Sequence, residues 1–126
     1  MLVVEDILRD RGSRYAVSGG PVADRAAAGA FLAALKTRKR FAKATHNSWA
    51  VLFSNPEDAA QPEPVKADDG EAGAGAIILQ ELQAAGLHDH IVVVSRWFGG
   101  VHLGGDRFRH VRTAVRLYLA RRNGLS

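Results

Sequence analysis

The sequence predicts a single domain built from one β-sheet with helices packed on it. The chain has 126 residues, which suits one core, and its apolar content of 47% is ordinary for a globular protein. Apolar runs of strand length alternate with segments of helical periodicity along the whole chain. Strands and helices in one small domain bury their apolar faces against each other, so a sheet covered by helices is the expected architecture.

The first half of the chain predicts a strand, a helix and a second strand. The segment "SRYAVSGG", residues 13–20, has the composition of a short strand and runs into a Gly-Gly-Pro turn. Asp24 is placed to cap the helix that follows, and residues 36–40 form its basic last turn, a charge that a helix C-terminus favours. The stretch "HNSWAVLF", residues 46–53, alternates and then becomes apolar, which predicts a strand.

The second half predicts a loop, a helix, a central strand and a last helix. Residues 55–70 contain three prolines and many acids, which is typical of a mobile surface loop. Residues 71–87 have helical periodicity with a glycine near the end. Residues 90–95, "HIVVVS", are apolar on both faces, so this strand is expected in the middle of the sheet. The last helix begins near Asp106, and one of its faces carries Arg109, Arg112 and Arg116.

Two glycine pairs, at residues 99–100 and 104–105, separate the central strand from the last helix. They do not match a phosphate-binding P-loop, which requires a lysine and a hydroxyl directly after its last glycine. Asp106 stands at the helix start, where its carboxylate would cap the first amides and repel a phosphate. A tight turn is therefore the favoured interpretation. A phosphate cradle stays open because of the basic residues Arg96, Arg107 and Arg109.

The sequence contains no recognisable catalytic, metal or cofactor motif. There is no cysteine, Ser95 lacks a G-x-S-x-G context, and the five histidines lack metal-ligand spacing. The acids of "DDGE", residues 68–71, could hold Mg²⁺, but capping of a helix start is the favoured interpretation. The one enzymatic candidate, His46, Asp68, Asp69 and Arg96, shows no arrangement of nucleophile, base and orienting group. We therefore expect a non-catalytic protein without metal or cofactor.

Charge is unevenly distributed along the chain, whose net charge is +4. Residues 36–43 hold five basic residues and no acid, residues 107–122 hold six arginines, and residues 57–71 hold six of the thirteen acids. Such separation fits a polyanion or a polar protein partner. No apolar run approaches the roughly 18 residues of a membrane span, and the N-terminus carries acids where an export signal carries bases. We expect a cytoplasmic protein.

Three blocks of the sequence together resemble the IMPACT family, which includes the bacterial YigZ-like proteins. The blocks are "KATHNSWA" at 43–50, "DDGEAGAG" at 68–75 and "VVVSRWFGGVHLGGDRFRH" at 92–110. They occur in the family's order and spacing, and the last block is closest to the eukaryotic branch. The matching motif residues are His46, Asn47, Asp68, Asp69, Gly70, Glu71, Arg96, Trp97, Phe98, Gly99, Gly100, Gly104, Asp106, Arg107 and Phe108.

The resemblance implies an α+β fold, a four-stranded sheet with helices packed on one side, like the second domain of ribosomal protein S-five. It also implies that residues 1–126 are the single IMPACT-type domain, without the RWD or ferredoxin-like domain that family members usually carry. Eukaryotic members bind the ribosome-associated activator of the general-control eIF2α kinase. By resemblance, the expected function is regulation of translation in the starvation response, through a protein partner or the ribosome.

A direct RNA- or DNA-binding protein is the alternative function. Basic helix faces would contact phosphates, while Trp97 and Phe98 would stack on bases. This requires the end of the first helix and the arginine face of the last helix to form one surface, which we expect if both helices lie on the same side of the sheet. The candidate contacts for a partner or nucleic acid are Lys36, Arg38, Lys39, Arg40, Lys43, Arg96, Arg109, Arg112 and Arg116.

One further expectation concerns Arg96, which follows three valines in a strand expected to be central. A guanidinium at such a position needs solvent or an acidic partner. We therefore expect Arg96 to approach a carboxylate of the "DDGE" block, which the sequence places just before a helix.

Overall fold

A computed structural model describes residues 1–124, which form one five-stranded antiparallel sheet and four helices. The sheet order is β1-β2-β5-β3-β4, so β5 is central, as its apolar faces predict. The strands are β1 (Leu2–Asp10), β2 (Ser13–Pro21), β3 (His46–Phe53), β4 (Glu63–Ala67) and β5 (His90–Trp97). The helices are α1 (Arg25–Lys36), α2 (Lys39–Ala42), α3 (Ala74–Ala85) and α4 (Asp106–Arg122).

The predicted α+β class is confirmed, and the sheet has five strands where four were expected. Helices α3 and α4 pack against one face of the sheet and against each other. Three predicted strands, β2, β3 and β5, occupy the middle of the sheet, and the additional strands are its two edges. An edge strand is stabilised by its neighbour's backbone and needs less apolar surface of its own.

The segment expected to be a mobile loop, residues 55–70, contains the edge strand β4. Pro64 lies in this strand opposite Leu52 of β3. A proline cannot donate a ladder hydrogen bond, and an edge strand tolerates it because one side of the strand has no partner. The interpretation of the whole segment as a loop is therefore wrong.

The basic segment at the end of α1 is also not one continuous helix. α1 ends at Lys36, and Arg38 is extended, with φ −78° and ψ 118°. A separate turn, α2, follows and inserts Phe41 into the core, where it is 2% exposed. The break places Phe41 in the interior while its basic neighbours stay at the surface.

Side chains alternate between two apolar clusters, one on each face of the sheet. In β5, Val92 and Val94 belong to the cluster that contains α3 and α4, whereas Ile91 and Val93 belong to the other cluster. That second cluster is filled by side chains of α1 and α2, including Leu35. α1 and α2 therefore lie on the sheet face opposite α4, which decides how the basic segments are arranged.

Candidate functional site

The family-motif residues meet at the C-terminal end of the central strand β5. The first residue of β3, His46, pairs with Arg96 near the end of β5, and Tyr15 of β2 pairs with Arg96 from the other side. These three residues form one row across the sheet. The turn of residues 68–71, which precedes α3, closes over this row through the contacts described next.

Arg96 forms a buried ion pair with Glu71, which confirms the expected approach to the "DDGE" block. Arg96 Nη1 donates to Glu71 Oε1 at 2.7 Å, and the two side chains are 6% and 4% exposed. His46 Nε2 lies 3.5 Å from the other carboxylate oxygen of Glu71. Arg96 Nη2 also donates to Ser13 Oγ at 3.3 Å, so this guanidinium links three segments of the chain.

The two aspartates of the "DDGE" block organise backbone amides. The Asp68 carboxylate accepts from the amides of Gly73 and Gly75 at the start of α3, at 3.1 and 2.8 Å. These hydrogen bonds lower the pKa of Asp68 below its ordinary value. Asp69 has a φ of 51° and accepts from the Asn47 amide at 2.7 Å. The favoured interpretation of this block as a helix cap describes the role of Asp68.

Next to this turn, the Asn47 side chain joins β3 to β5 and to α2 by hydrogen bonds. Ser95 Oγ donates to Asn47 Oδ1 at 2.6 Å, and Asn47 Nδ2 donates to the Phe41 carbonyl at 3.2 Å. All three residues are buried. Ser95 and Asn47 are thus engaged with each other and with α2 in a structural role.

Trp97 and Arg40 form a second contact at the end of β5. Trp97 Nε1 donates to the Arg40 carbonyl at 3.1 Å, and the Arg40 guanidinium lies 4.5 Å from the centroid of the Trp97 ring. Arg40 also forms ion pairs with Glu5 and Asp6 of β1. Arg40 and Trp97, two of the candidate nucleic-acid contacts, are therefore bonded mainly within the protein.

Two features of the turn after β5 require glycine: a close approach to neighbouring backbone and positive φ values. Gly99 packs so closely on β2 that an added Cβ would lie 2.1 Å from the carbonyl carbon of Gly12. Gly100 and Gly104 have positive φ values of 91° and 57°. The expected structural turn is confirmed at these three positions. Gly105 has a φ of −68° and open space around it, so neither requirement applies there.

A cleft of about 470 Å³ opens beside this turn, and we call it the β5 cleft. It lies between the start of β3, the "DDGE" block, the end of β5 and the N-terminus of α4. Phe98, at its rim, is 42% exposed, and its ring is 5.4 Å from that of His102. The lining residues are Thr45, His46, Gly70, Glu71, Arg96, Phe98, His102, Leu103, Gly104 and Arg107.

Asp106 does not cap α4, contrary to expectation. Its carboxylate pairs with Arg11 at 2.6 Å and with Arg109 at 3.3 Å, and the cap residue Gly105 has no side chain to offer. This leaves the first amides of α4 without a side-chain cap.

The predicted single basic surface is wrong. The segment with Lys36, Arg38, Lys39 and Lys43 lies on the sheet face opposite α4, because α1 and α2 contribute to the other apolar cluster. The arginine face of α4 is also partly paired within the protein. Arg112 and Arg116 both bind Glu81 of α3, at 3.2 and 2.8 Å. The binding roles of all these residues stay predictions.

Several residues of the site were not found by sequence reasoning. Tyr15, Ser13 and Thr45 were not among the candidate site residues, yet Ser13 Oγ accepts from Arg96 and Thr45 Oγ1 accepts from the Phe98 amide. The one signal for Thr45 was its place in the block "KATHNSWA", directly before His46. Across residues 1–124, no group of three or more His, Asp or Glu side chains is placed to hold a metal ion. In the same range, no helix is long and apolar enough to span a membrane.

Comparison with known proteins connects this arrangement to a family. The model of the Impact N-terminal domain matches residues 11–119. The chain is 35% identical over 113 residues to Protein IMPACT homolog of Saccharomyces cerevisiae, covering 88% of this chain and 43% of the relative. It is 35% identical over 116 residues to Protein IMPACT of Bos taurus, covering 92% and 36%. The chain thus spans less than half the length of these relatives.

Two solved structures share the fold. One, described as a hypothetical protein, aligns with a TM-score of 0.77 at 24% identity, over 93% of this chain and 56% of that one. The other is described as the two-domain translational regulator Yih1, with a TM-score of 0.59 at 34% identity, over 94% and 44%. The family match covers all three motif blocks and the residues that form the Arg96–Glu71 site. This chain belongs to the Impact N-terminal domain family.

Proposed function

We propose that this chain is a non-catalytic regulatory domain that acts in translation by binding a protein partner. The observation that carries the proposal is its 34% identity, over 94% of its length, to a protein described as a translational regulator. The resemblance to eukaryotic members extends the proposal to the starvation response and to the cytoplasm. The chain would act by occupying its partner and would need no reaction of its own.

The arrangement at the end of β5 supports a binding role over a catalytic one. Its central carboxylate, Glu71, is engaged by Arg96 and His46, and the neighbouring Ser95 hydroxyl donates to Asn47. A nucleophile requires an adjacent base that is free to accept its proton, and Ser95 has an amide oxygen in that place. Phe98, beside these hydrogen-bonded groups, is exposed. Aromatic side chains are enriched in the hot spots of protein interfaces, so Phe98 is a candidate contact for a partner.

A protein partner is favoured over nucleic acid by the pairing of the α4 arginines. Arg112 and Arg116 share the single buried carboxylate of Glu81, so one of their two charges is compensated inside the protein and both side chains are held by that pairing. Release of phosphate counterions, the main source of nucleic-acid affinity, requires cations that are free to contact the backbone. The basic residues of α1 and α2 lie on the opposite face of the sheet and do not extend the surface of α4.

The test is affinity capture from host lysate, with and without nuclease, using wild type and Phe98→Ser. A matched control is Gln83→Ser, which changes an exposed residue near the far end of α3. We expect the wild type and the control to capture a protein of the translation machinery after nuclease treatment, and Phe98→Ser to lose it. Capture that disappears with nuclease would favour the RNA-binding alternative, and capture unrelated to translation would overturn the proposal.

A further inference from the structure

The β5 cleft contains a cation without a counterion. The side chain of Arg107, at the second position of α4, lines this cleft, and no hydrogen bond or ion pair holds its guanidinium within residues 1–124. Its Nε is buried and without a partner, and its Cζ lies 4.6 Å from the Phe108 ring. The neighbouring Arg109 and Arg11 both have Asp106 as partner, so Arg107 differs from the cations around it.

A second guanidinium below the cleft also has unused hydrogen-bonding capacity. Arg96 is 5% exposed and lines the cleft, and its Nε has no partner although both terminal nitrogens are bonded. The Tyr15 ring centroid lies 5.8 Å from the Arg96 guanidinium, and the fully buried Tyr15 hydroxyl is likewise without a partner. Buried polar groups are normally satisfied, so the unpaired Nε atoms of Arg96 and Arg107, two residues that line the cleft, indicate a missing acceptor.

The N-terminus of α4 adds backbone donors to the same cleft. Gly104 lines it, and the amides of Gly104 and Gly105 donate to no other group within residues 1–124. The helix dipole favours an anion at this end, and the objection that Asp106 would repel one is removed because two arginines neutralise that carboxylate. The lining includes one carboxylate, Glu71, which is 4% exposed and already paired with Arg96.

These donors suit a tetrahedral anion better than a planar one. They come from a side chain of α4, from the glycine turn and from the imidazole of His102. Donors that approach from several directions match the three terminal oxygens of a phosphate monoester, whereas a carboxylate offers two oxygens in one plane. Arginine is also the side chain best suited to phosphate recognition.

The rim of the cleft indicates what the phosphate is attached to. Phe98 and His102 present a tilted pair of rings, and Phe98 is 42% exposed. Aromatic side chains stack on any nucleobase, because every base presents a flat π-face. The cleft volume of about 470 Å³ lies within the range of about 300–1,000 Å³ typical of small-molecule sites.

We propose that the β5 cleft binds the phosphate monoester of a nucleotide, held by Arg107 and the N-terminus of α4 with the base against Phe98. The site lies on this chain alone and is independent of whether the proposed protein partner exists. The nucleotide can be free, or it can be the phosphorylated end of an RNA, and the same donors would recognise both.

The test titrates the purified chain with adenosine monophosphate, adenosine and inorganic phosphate, followed by calorimetry and by amide chemical shifts. We expect the monophosphate to bind at least about tenfold more tightly than adenosine, since a charge-assisted contact is worth about one factor of ten or more. Shifts should concentrate at the amides of Gly104, Gly105 and Arg107. Equal binding of adenosine and its monophosphate, or shifts at another surface, would overturn the proposal.

Two variants distinguish binding at this site from non-specific attraction to the positive charge of α4. Arg107→Gln should weaken the monophosphate by about tenfold, while Arg121→Gln, which removes the same charge from the exposed last turn of α4, should leave its affinity within about twofold. An unchanged thermal midpoint verifies that each variant is folded. Equal losses in both variants would show non-specific charge attraction and overturn the proposal.

The source of the phosphate is resolved with two short RNA oligomers of one sequence, with and without a 5′-phosphate. Preference for the phosphorylated oligomer over the monophosphate would identify an RNA end as the ligand, and the reverse would identify a free nucleotide. Oligomers that bind equally while the monophosphate does not bind would overturn the proposal.

Discussion

Replacing Glu71 by Gln tests whether the buried ion pair with Arg96 holds the end of β5 together. Both side chains are almost fully buried, with the guanidinium at 2.7 Å from the carboxylate. The substitution preserves shape and removes one charge, so Arg96 remains buried without its counterion. Removing one partner of a buried pair costs about 3–5 kcal/mol, a large part of the about 5–15 kcal/mol that stabilises a domain.

The loss should be specific to the uncompensated charge, which a double-mutant cycle measures. Arg96→Met alone leaves the Glu71 carboxylate buried without its guanidinium, with the His46 ring at 3.5 Å. The double variant Glu71→Gln with Arg96→Met has no buried charge at either position. We expect it to be at least about 2 kcal/mol more stable than the sum of the single losses predicts, since contacting residues couple by about 0.5–3 kcal/mol.

Urea unfolding at neutral pH, followed by far-UV circular dichroism, gives the free energy of unfolding for the four proteins of the cycle. A matched control is Glu63→Gln, because Glu63 pairs with Arg25 at the surface, where an ion pair is worth about 0–1 kcal/mol. A loss below about 1 kcal/mol in Glu71→Gln, or single losses that add in the double variant, would refute the reasoning.

Three further predictions follow from burial and backbone geometry. Burial lowers the pKa of His90 from 6.5 to about 4, so the unfolded state takes up the proton first as pH falls through this window. Urea titrations should show stability falling by up to about 3 kcal/mol between these pH values in wild type and much less in His90→Gln. Gly99→Ala should cost about 3 kcal/mol because its Cβ would overlap Gly12, whereas Gly105→Ala should gain about 0.5 kcal/mol; thermal denaturation compares the two. Asp68→Ala should lose about 1–2 kcal/mol, measured by urea unfolding, because two amides at the start of α3 lose their acceptor.

The central elements were predictable because their residues carry the pattern themselves. The valines of β5 are apolar on both faces, and the helix segments have clear periodicity. The edge strands were missed for the opposite reason. β1 contains Glu5, Asp6 and Asp10, and Asp6 lies where the register with β2 shifts. Its strand conformation comes from pairing with β2, which no local pattern reports.

The site was predictable at Arg96, because a guanidinium in a buried strand requires an acidic partner. Arg96 after three valines required a carboxylate, and the "DDGE" block was the nearest concentration of acids in the family's motif. The arginine face of α4 failed as a prediction because spacing along one helix does not show what the neighbouring helix carries. Glu81 of α3 lies against that face and turns two expected ligand contacts into internal ion pairs.

The charge that a ligand or partner encounters at the end of β5 depends on which cationic side chains are already paired with carboxylates. Arg96 has Glu71, Arg40 has Glu5 and Asp6, and Arg11 has Asp106. Within residues 1–124, Arg107 in the β5 cleft has no such acidic partner. The exposed cations Arg14 and Lys43, which lie on the other side of Phe98, have none within these residues either. The uncompensated charge on both sides of Phe98 is therefore positive. A partner or ligand that binds here must bring negative charge next to a flat or apolar group, which is a requirement that an acidic protein segment and a nucleotide can each be tested against.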